Sequence, residues 1–220
     1  NIPIQLGFNR RFDPGHQAAK QSLIDGEIGE LHQCLITSRD PGLPSWDYLK
    51  VSGGQFRDMT IHDFDLARFM LGEEPERIFA ISNALINRKI KSELNDSDTL
   101  MIIMETASGK QCHINNSRSA TYGYDQRVEL FGSKGMVVSE NRKPHELKKY
   151  NMEFVDKREP YLNFFIERYQ EAYMNSITSF VEAIIEKKQV SVGFEDGRRA
   201  LLLAEAAYKS VKSGRFEKID

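Results

Sequence analysis

The 220-residue sequence predicts an α+β fold in which helices pack on one face of a mostly antiparallel sheet. Short alternating segments fill the middle of the chain, turn residues separate them, and two segments with helical periodicity follow. Residues 106–110 have the length and composition of a hairpin loop, which favours antiparallel pairing of the strands on either side.

The first elements follow from local signals. Residues 2–8 have the composition of a strand already under way, which would make the chain a fragment of a longer protein. Asp13 followed by Pro14 is typical of a helix start and predicts a helix over residues 14–24. Loose alternation predicts a long strand over residues 28–39, and the proline- and glycine-containing segment 40–53 predicts an irregular loop.

The remaining elements alternate with turn residues. Gly53-Gly54 allows a sharp turn into a helix over residues 55–71, which Gly72 ends. Strands are predicted over residues 77–86, 98–106, 110–118, 125–131 and 135–139, with one more strand or hairpin over residues 146–156. Helical periodicity predicts the last two helices over residues 167–187 and 195–213.

Composition excludes several classes of protein. Thirty basic and 32 acidic side chains give a net charge of −2, so we expect neither nucleic acid nor a membrane as partner. The apolar runs are too short to cross a bilayer. Cys34 and Cys112 match no metal spacing and favour two buried thiols in a reduced, cytoplasmic protein over a disulfide.

Residues 53–70 contain the pattern that most clearly indicates a catalytic site. Asp58 and His62 are four apart and would be neighbours on one helix face, with Asp65 and Phe69 continuing the line. A carboxylate that accepts the Nδ1 hydrogen fixes the imidazole tautomer, raises its basicity and leaves the other nitrogen free as a base. An isolated pair of this kind is more often structural. A separate apolar stripe would dock the helix on the sheet: Met59, Leu66 and Met70.

A metal site is an alternative interpretation of the same helix. Asp58 and His62, with Asp63 or Asp65, could bind zinc or iron in a metal-dependent hydrolase. The chain has only five histidines, and none of the others lies in a spaced motif. We therefore predict no metal.

An ordered series of motifs resembles one family over nearly the whole chain. The motifs are Phe8-Asn9-Arg10-Arg11-Phe12-Asp13-Pro14, Gly26-Glu27-Ile28-Gly29, Ser38-Arg39-Asp40-Pro41, Gly53-Gly54-x-Phe56-x-Asp58-Met59-x-Ile61-His62-Asp63-x-Asp65, Tyr122-Gly123-Tyr124-Asp125, Glu129-x-Phe131-Gly132-x-x-Gly135, Asp196-Gly197 and Ala204-Glu205-Ala206-Ala207. They are similar to those of the glucose–fructose oxidoreductase/inositol dehydrogenase/rhizopine-catabolism (Gfo/Idh/MocA) family, and most closely of its inositol 2-dehydrogenases.

The resemblance implies a division into two domains. Residues 1–13 would be the last strand and exit of a dinucleotide-binding domain, and residues 14–220 a substrate-binding and oligomerisation domain with an open-faced sheet. The 220 residues contain neither Gly-x-Gly-x-x-Gly nor the family's Glu-Lys-Pro motif. We therefore expect NAD(P) to be bound mainly by a domain outside them, and these residues alone to be inactive.

The resemblance also assigns roles to single residues. His62 would remove the proton of a substrate hydroxyl, and Asp58 would bind a hydroxyl and support that base. Arg10, Asp40 and Tyr124 would line the substrate pocket. The alternatives are structural: Arg10 or Arg11 pairs with Asp13, and Tyr124 is a strand aromatic that faces the sheet partner. Ser38 stands where some inositol enzymes carry histidine, which leaves the polyol open.

The predicted function is the substrate half of an NAD(P)-dependent oxidoreductase that oxidises a secondary hydroxyl of a cyclic polyol or sugar. The alternative is a non-catalytic sugar-binding or oligomerisation module of the same fold. A homo-oligomer is expected through the open face of the sheet, with Leu100, Ile102 and Met104 among the side chains that form that face.

Overall fold

Seven strands pair into one mixed sheet in the computed structural model, which describes residues 2–219. Their order across the sheet is β6-β5-β1-β4-β3-β2-β7. The β1–β4 pair is parallel and the other neighbours are antiparallel, so the predicted α+β class is confirmed. The strands are β1 (Leu31–Arg39), β2 (Pro75–Asn83), β3 (Thr99–Thr106), β4 (Gln111–Ser117), β5 (Asp125–Gly132), β6 (Gly135–Ser139) and β7 (Glu217–Lys218).

The helices lie in two parts of the described chain, before β3 and after β6. A 3-10 turn over Asn9–Phe12 precedes the first of them. Helices α4 and α8 pack against each other and against the sheet. The helices are α1 (Pro14–Ile24), α2 (Trp46–Val51), α3 (Gln55–Asp58), α4 (Thr60–Leu71), α5 (Arg88–Leu94), α6 (Phe165–Arg168), α7 (Gln170–Ile185) and α8 (Phe194–Ser213).

One face of the sheet forms the main core. Across the register, Ile36 pairs with Ile114 and Val128, and Ile102 pairs with Ile114 and Ala80. All five are at most 1% exposed. The next row on this face is polar at Ser38, Asn116 and Gln126, and it lies at the end of the core where the candidate site begins.

The opposite face of the sheet is open, and our prediction of its residues was wrong. Leu100, Ile102 and Met104 are at most 2% exposed and belong to the core. Their neighbours Met101 and Ile103 are 53% and 49% exposed. Both sets of alternating residues in β3 are apolar, so periodicity alone could not show which set the helices cover.

Several element boundaries differ from the prediction. Residues 2–8 form no strand, and the amide of Leu6 instead donates to the carbonyl of Val192 at 2.9 Å. Residues 146–156 contribute only to an isolated bridge between Lys149 and Lys157. Asn1 and Asp220, the outer ends of the two predicted domain ranges, lie outside the described residues.

Two short helices were not predicted. Helix α2 interrupts the expected loop over residues 40–53, and α5 lies between two predicted strands. Strand β2 ends at Asn83 because the Asp98 carboxylate accepts the amides of the following turn, including those of Leu85 at 2.8 Å and Ile86 at 3.0 Å. Amides that are bonded in this way are not available to extend the ladder.

Helix α1 begins as predicted. The Asp13 carboxylate accepts the amides of Gly15 and His16 at 3.1 and 3.2 Å, and Pro14 occupies the first turn. Cys34 and Cys112 are buried free thiols, as predicted, and are register partners across β1 and β4. No helix among residues 2–219 is long and apolar enough to span a bilayer.

Candidate active site

A cavity of about 610 Å³ opens at the polar end of the core, and all five predicted site residues line it. They come from different elements: the 3-10 turn, the segment after β1, the α3–α4 region and the segment before β5. The predicted residues are Arg10, Asp40, Asp58, His62 and Tyr124, and other lining residues include Asn9, Tyr48, Arg118 and Tyr169.

Asp58 and His62 do not lie on one continuous helix. The predicted helix over residues 55–71 is broken at Met59, so Asp58 ends α3 and His62 lies in the first turn of α4. The hydroxyl of Thr60 is 2.7 Å from Oδ1 of Asn116 and 3.3 Å from the carbonyl of Gln55. These contacts fix the start of α4 against the sheet.

The Asp58 carboxylate is held by partners that we did not predict. The Tyr48 hydroxyl donates to Oδ1, and Nη2 of Arg118 donates to Oδ2 at 2.6 Å. Nδ1 of His62 is buried and has no hydrogen-bond partner among residues 2–219. The expected hydrogen bond between Asp58 and this nitrogen is therefore absent, because a different pair of side chains orients the carboxylate.

The basicity of His62 also differs from the expectation. Burial and the charge of Arg10 lower its pKa to about 4, and they outweigh the opposing attraction of Asp58. The imidazole is therefore neutral at neutral pH and able to accept a proton. The imidazole packs edge to face against the Phe8 ring and its Nδ1 is buried, so Nε2 is the nitrogen left to face the cavity.

Arg10 forms the rear of the cavity. It is 5% exposed, pairs with Asp63 through Nη1 and donates from Nη2 to the Ser38 hydroxyl at 3.2 Å. The alternative pairing with Asp13 was wrong, because that carboxylate accepts from Arg168 at 2.6 Å. The charge of Arg10 is balanced by Asp63 and remains close enough to act on His62.

The metal interpretation does not fit the observed side-chain directions. Asp63 faces Arg10, and Asp65 accepts two hydrogen bonds from Arg11 at 2.8 and 2.5 Å. Neither carboxylate converges with Asp58 and His62. Within residues 2–219 no group of three or more His, Cys, Asp or Glu side chains has the geometry of a metal site.

Asp40 is held beside Asp58 by the chain and by an arginine. Its amide donates to the carbonyl of Ser117 at 2.8 Å, and its carboxylate lies 3.7 Å from Nη1 of Arg118. Burial raises the pKa of Asp40 to about 6 although Arg118 and Arg10 oppose the shift. Arg118 thus stands between two carboxylates at the cavity wall.

Tyr124 lies just before β5 and faces α7. Its ring contacts that of Tyr169 edge to face, with 6.1 Å between centroids, and it is 7% exposed. The alternative, in which Tyr124 faces a sheet partner, was therefore wrong. Burial raises the pKa of the Tyr124 hydroxyl well above its usual value.

The family model described as "GFO/IDH/MocA C-terminal domain" matches residues 16–138. The chain belongs to the GFO/IDH/MocA family.

Two similar members of the family are dehydrogenases of inositols. The inositol 2-dehydrogenase of Rhizobium meliloti (strain 1021) is 50% identical over 212 residues, which cover 96% of this chain and 64% of the relative. The crystal structure of a myo-inositol dehydrogenase from Corynebacterium glutamicum superposes with a TM-score of 0.95 at 42% identity, over 98% of this chain and 64% of that one.

A third similar protein has been solved with ligands. The structure of scyllo-inositol dehydrogenase from Lactobacillus casei, with bound NAD(H) and scyllo-inositol, superposes with a TM-score of 0.87 at 27% identity. The match covers all of this chain and 65% of that chain. The present chain thus spans less than two thirds of the length of the family members that it matches.

The described residues contain no Gly-x-Gly-x-x-Gly turn of the kind that holds the pyrophosphate of a dinucleotide. Such a site needs free backbone amides at a glycine-rich strand-to-helix turn. The arginines of the cavity, Arg10 and Arg118, are instead paired with Asp63 and Asp58. The cavity of this family member fits an uncharged polar molecule better than a pyrophosphate.

Tyr48 and Arg118, the two cavity residues that hold Asp58, were not predicted from the sequence. Tyr48 lies in a segment that we interpreted as an irregular loop, and Arg118 follows β4 at the end of a predicted strand. The loop gave no local signal for a contact with Asp58. For Arg118, the only available signal was its position at a strand end, where site residues often occur.

Proposed function

We propose that this chain is the substrate-binding part of an NAD(P)-dependent oxidoreductase of the inositol 2-dehydrogenase type. The reaction would oxidise a secondary hydroxyl of a cyclic polyol or sugar. The observation that carries the proposal is a neutral imidazole, His62, that faces the same cavity as the Asp40 and Asp58 carboxylates. The homology to inositol dehydrogenases supports it.

In the proposed reaction, His62 accepts the proton of the hydroxyl that is oxidised. A secondary alcohol releases hydride readily only as its O–H bond weakens, and a neutral imidazole within hydrogen-bond reach can take that proton. Nε2 would do so, since it is the nitrogen that the cavity reaches. Burial, together with the nearby charge of Arg10, lowers the pKa of His62 and so keeps the ring unprotonated before substrate binds.

Asp58 and Asp40 are proposed to accept hydrogen bonds from neighbouring hydroxyls of the ring. Hydrogen bonds to carboxylates are stronger than those between neutral groups, and two acceptors would fix the orientation of a polyhydroxylated ring. Tyr124 would form part of the pocket wall and Arg10 its rear, consistent with their burial beside the cavity.

The proposed reaction also needs a nicotinamide cofactor. Its nicotinamide would accept the hydride. We propose that NAD(P) is bound mainly by a dinucleotide-binding domain outside residues 14–220, to which residues 1–13 would lead, and that the protein works in the cytoplasm. A homo-oligomer through the open sheet face is proposed on the basis of its exposed Met101 and Ile103 side chains.

The assay uses the full-length protein with NAD+ or NADP+ and a panel of polyols: myo-inositol, scyllo-inositol and glucose, with cyclohexanol as the single-hydroxyl control. We expect saturable reduction of the cofactor with at least one inositol and none with cyclohexanol. Calorimetric binding of an inositol without turnover would favour the non-catalytic sugar-binding module. If the protein neither binds nor oxidises any of these polyols, both functions are contradicted.

A further inference from the structure

Both oxygens of the Asp58 carboxylate are occupied by side chains from other elements. Oδ1 accepts from the Tyr48 hydroxyl on α2, and Oδ2 accepts from the Arg118 guanidinium after β4 at 2.6 Å. An ionised carboxylate has about four lone-pair positions, so each oxygen can accept one further hydrogen bond. Asp58 is therefore fixed in orientation and retains capacity for a ligand.

Tyr48 reaches Asp58 from a helix that is anchored elsewhere. The Ser45 hydroxyl accepts the Tyr48 amide at 3.3 Å and caps α2, and Leu49 is 4% exposed in a small cluster with Ala84 and Ile90. The Tyr48 side chain itself is 47% exposed and takes no part in that cluster. Its contacts thus serve the cavity rather than the packing of α2.

We propose that Tyr48 is a positioning residue, which by donating to Oδ1 of Asp58 fixes the carboxylate so that it accepts a hydroxyl of the bound polyol. The proposal rests on the proposed function, since it names the residue that orients the hydroxyl acceptor of that site. Arg118 holds the second oxygen and balances the charge. Without Tyr48, the carboxylate could rotate about its bond to Cβ and about the Arg118 contact.

The direction of the hydrogen bond is fixed by chemistry. The bond to Asp58 is the main cause that raises the pKa of Tyr48 to about 12. The phenol therefore remains protonated over the pH range in which the protein can be assayed, and it acts only as a donor.

The test is Tyr48→Phe in the full-length protein, with initial rates measured against inositol concentration. Loss of one hydrogen bond to a charged acceptor should raise KM about tenfold. Because the proton acceptor is unchanged, kcat should stay within about threefold and its pH profile should not shift. Tyr150→Phe, an exposed tyrosine away from the cavity, should leave KM and kcat unchanged.

A double-mutant cycle separates positioning from a structural effect. If Tyr48 acts through Asp58, then Tyr48→Phe should have no further effect on KM in an Asp58→Ala background, which lacks the acceptor of the Tyr48 hydroxyl. Leu49→Ala loosens α2 and should lower the melting temperature, whereas Tyr48→Phe should not. Calorimetric binding of myo-inositol compares the variants without turnover. Loss of the hydrogen bond between Tyr48 and Asp58 should raise the dissociation constant about tenfold.

The outcomes distinguish the two proposals. If the parent protein oxidises an inositol but Tyr48→Phe changes neither KM nor the dissociation constant, the positioning role is wrong and the proposed function stands. Equal effects of Tyr48→Phe with and without Asp58 would also overturn the positioning role. If the parent neither binds nor oxidises an inositol, the proposed function fails and this inference fails with it.

Discussion

Arg10 influences the candidate base without touching it. It is 5% exposed and paired with Asp63, and its charge lowers the pKa of His62 together with burial. Residue spacing predicted that Asp58 would be the main influence on the imidazole. That prediction named the right neighbours and the wrong contacts, because the spacing rule assumes a continuous helix.

At the same scale, Asp40 gives a prediction about pH. Its pKa is raised from 3.8 to about 6 by burial. The folded protein therefore takes up this proton as pH falls through about 6, whereas the unfolded chain takes it up only near its ordinary value. The contribution of Asp40 to stability accordingly increases as pH falls from about 6 towards 3.8. Above pH 6 the buried, charged carboxylate destabilises the fold.

Asp40→Asn should remove that destabilisation. Relative to the parent, Asp40→Asn should raise the free energy of unfolding by about 1–2 kcal/mol more at pH 8 than at pH 5. One pKa unit corresponds to roughly 1.4 kcal/mol, and the effect is reduced because the side chain is partly exposed. Urea denaturation at the two pH values measures the difference. Asp47→Asn, at an exposed ion pair, is the matched control and should change little. A pH-independent effect of Asp40→Asn would contradict this account.

At the scale of elements, the turn before α3 was predictable and the break after it was not. Gly53-Gly54 is a local signal, and Gly54 has φ +90°, which only glycine adopts readily. The break at Met59 depends on the contact between Thr60 and Asn116, which belong to different elements. A contact of this kind leaves no periodic trace in the sequence.

Gly54→Ala should displace the start of α3, because a Cβ there would meet the Tyr208 hydroxyl and the Asp96 carboxylate that caps Gln55. Gly109→Ala is the control, since it has φ +87° and open space around a Cβ. Both variants should lose about 1 kcal/mol of folding stability, because alanine disfavours a positive φ. Gly54→Ala should lose roughly 1–3 kcal/mol more of folding stability, because its Cβ overpacks the site.

Chemical denaturation measures the two stabilities, and initial rates measure KM for the polyol. Gly54→Ala should also raise KM, because α3 ends at Asp58, whereas Gly109→Ala should leave KM unchanged. Equal losses of stability in the two variants would show that the turn does not constrain α3.

At the scale of the whole molecule, the order of elements was sufficient to predict the α+β class. Helix-covered and open faces of the sheet could not be assigned, because β3 is apolar on both. Ile81 pairs with Met101 in the register, and each is more than half exposed. An open sheet face with such side chains favours a symmetric interface.

Met101→Glu should therefore lower the molar mass of the full-length protein in light scattering, because it places charge in the centre of the proposed interface. Val155→Glu is the control: this side chain is 78% exposed and lies outside the sheet. We expect a change of mass for Met101→Glu alone. Retention of the parent's oligomeric mass by both variants would exclude this face as the interface.

The central claim is that His62 accepts the substrate proton, and the most direct measurement is kcat/KM for inositol oxidation by His62→Ala in the full-length protein. Loss of a general base should lower it by about 100-fold or more. His145→Ala removes an exposed histidine outside the cavity and should have no effect. Unchanged kcat/KM in His62→Ala, with the parent protein active, would contradict the account.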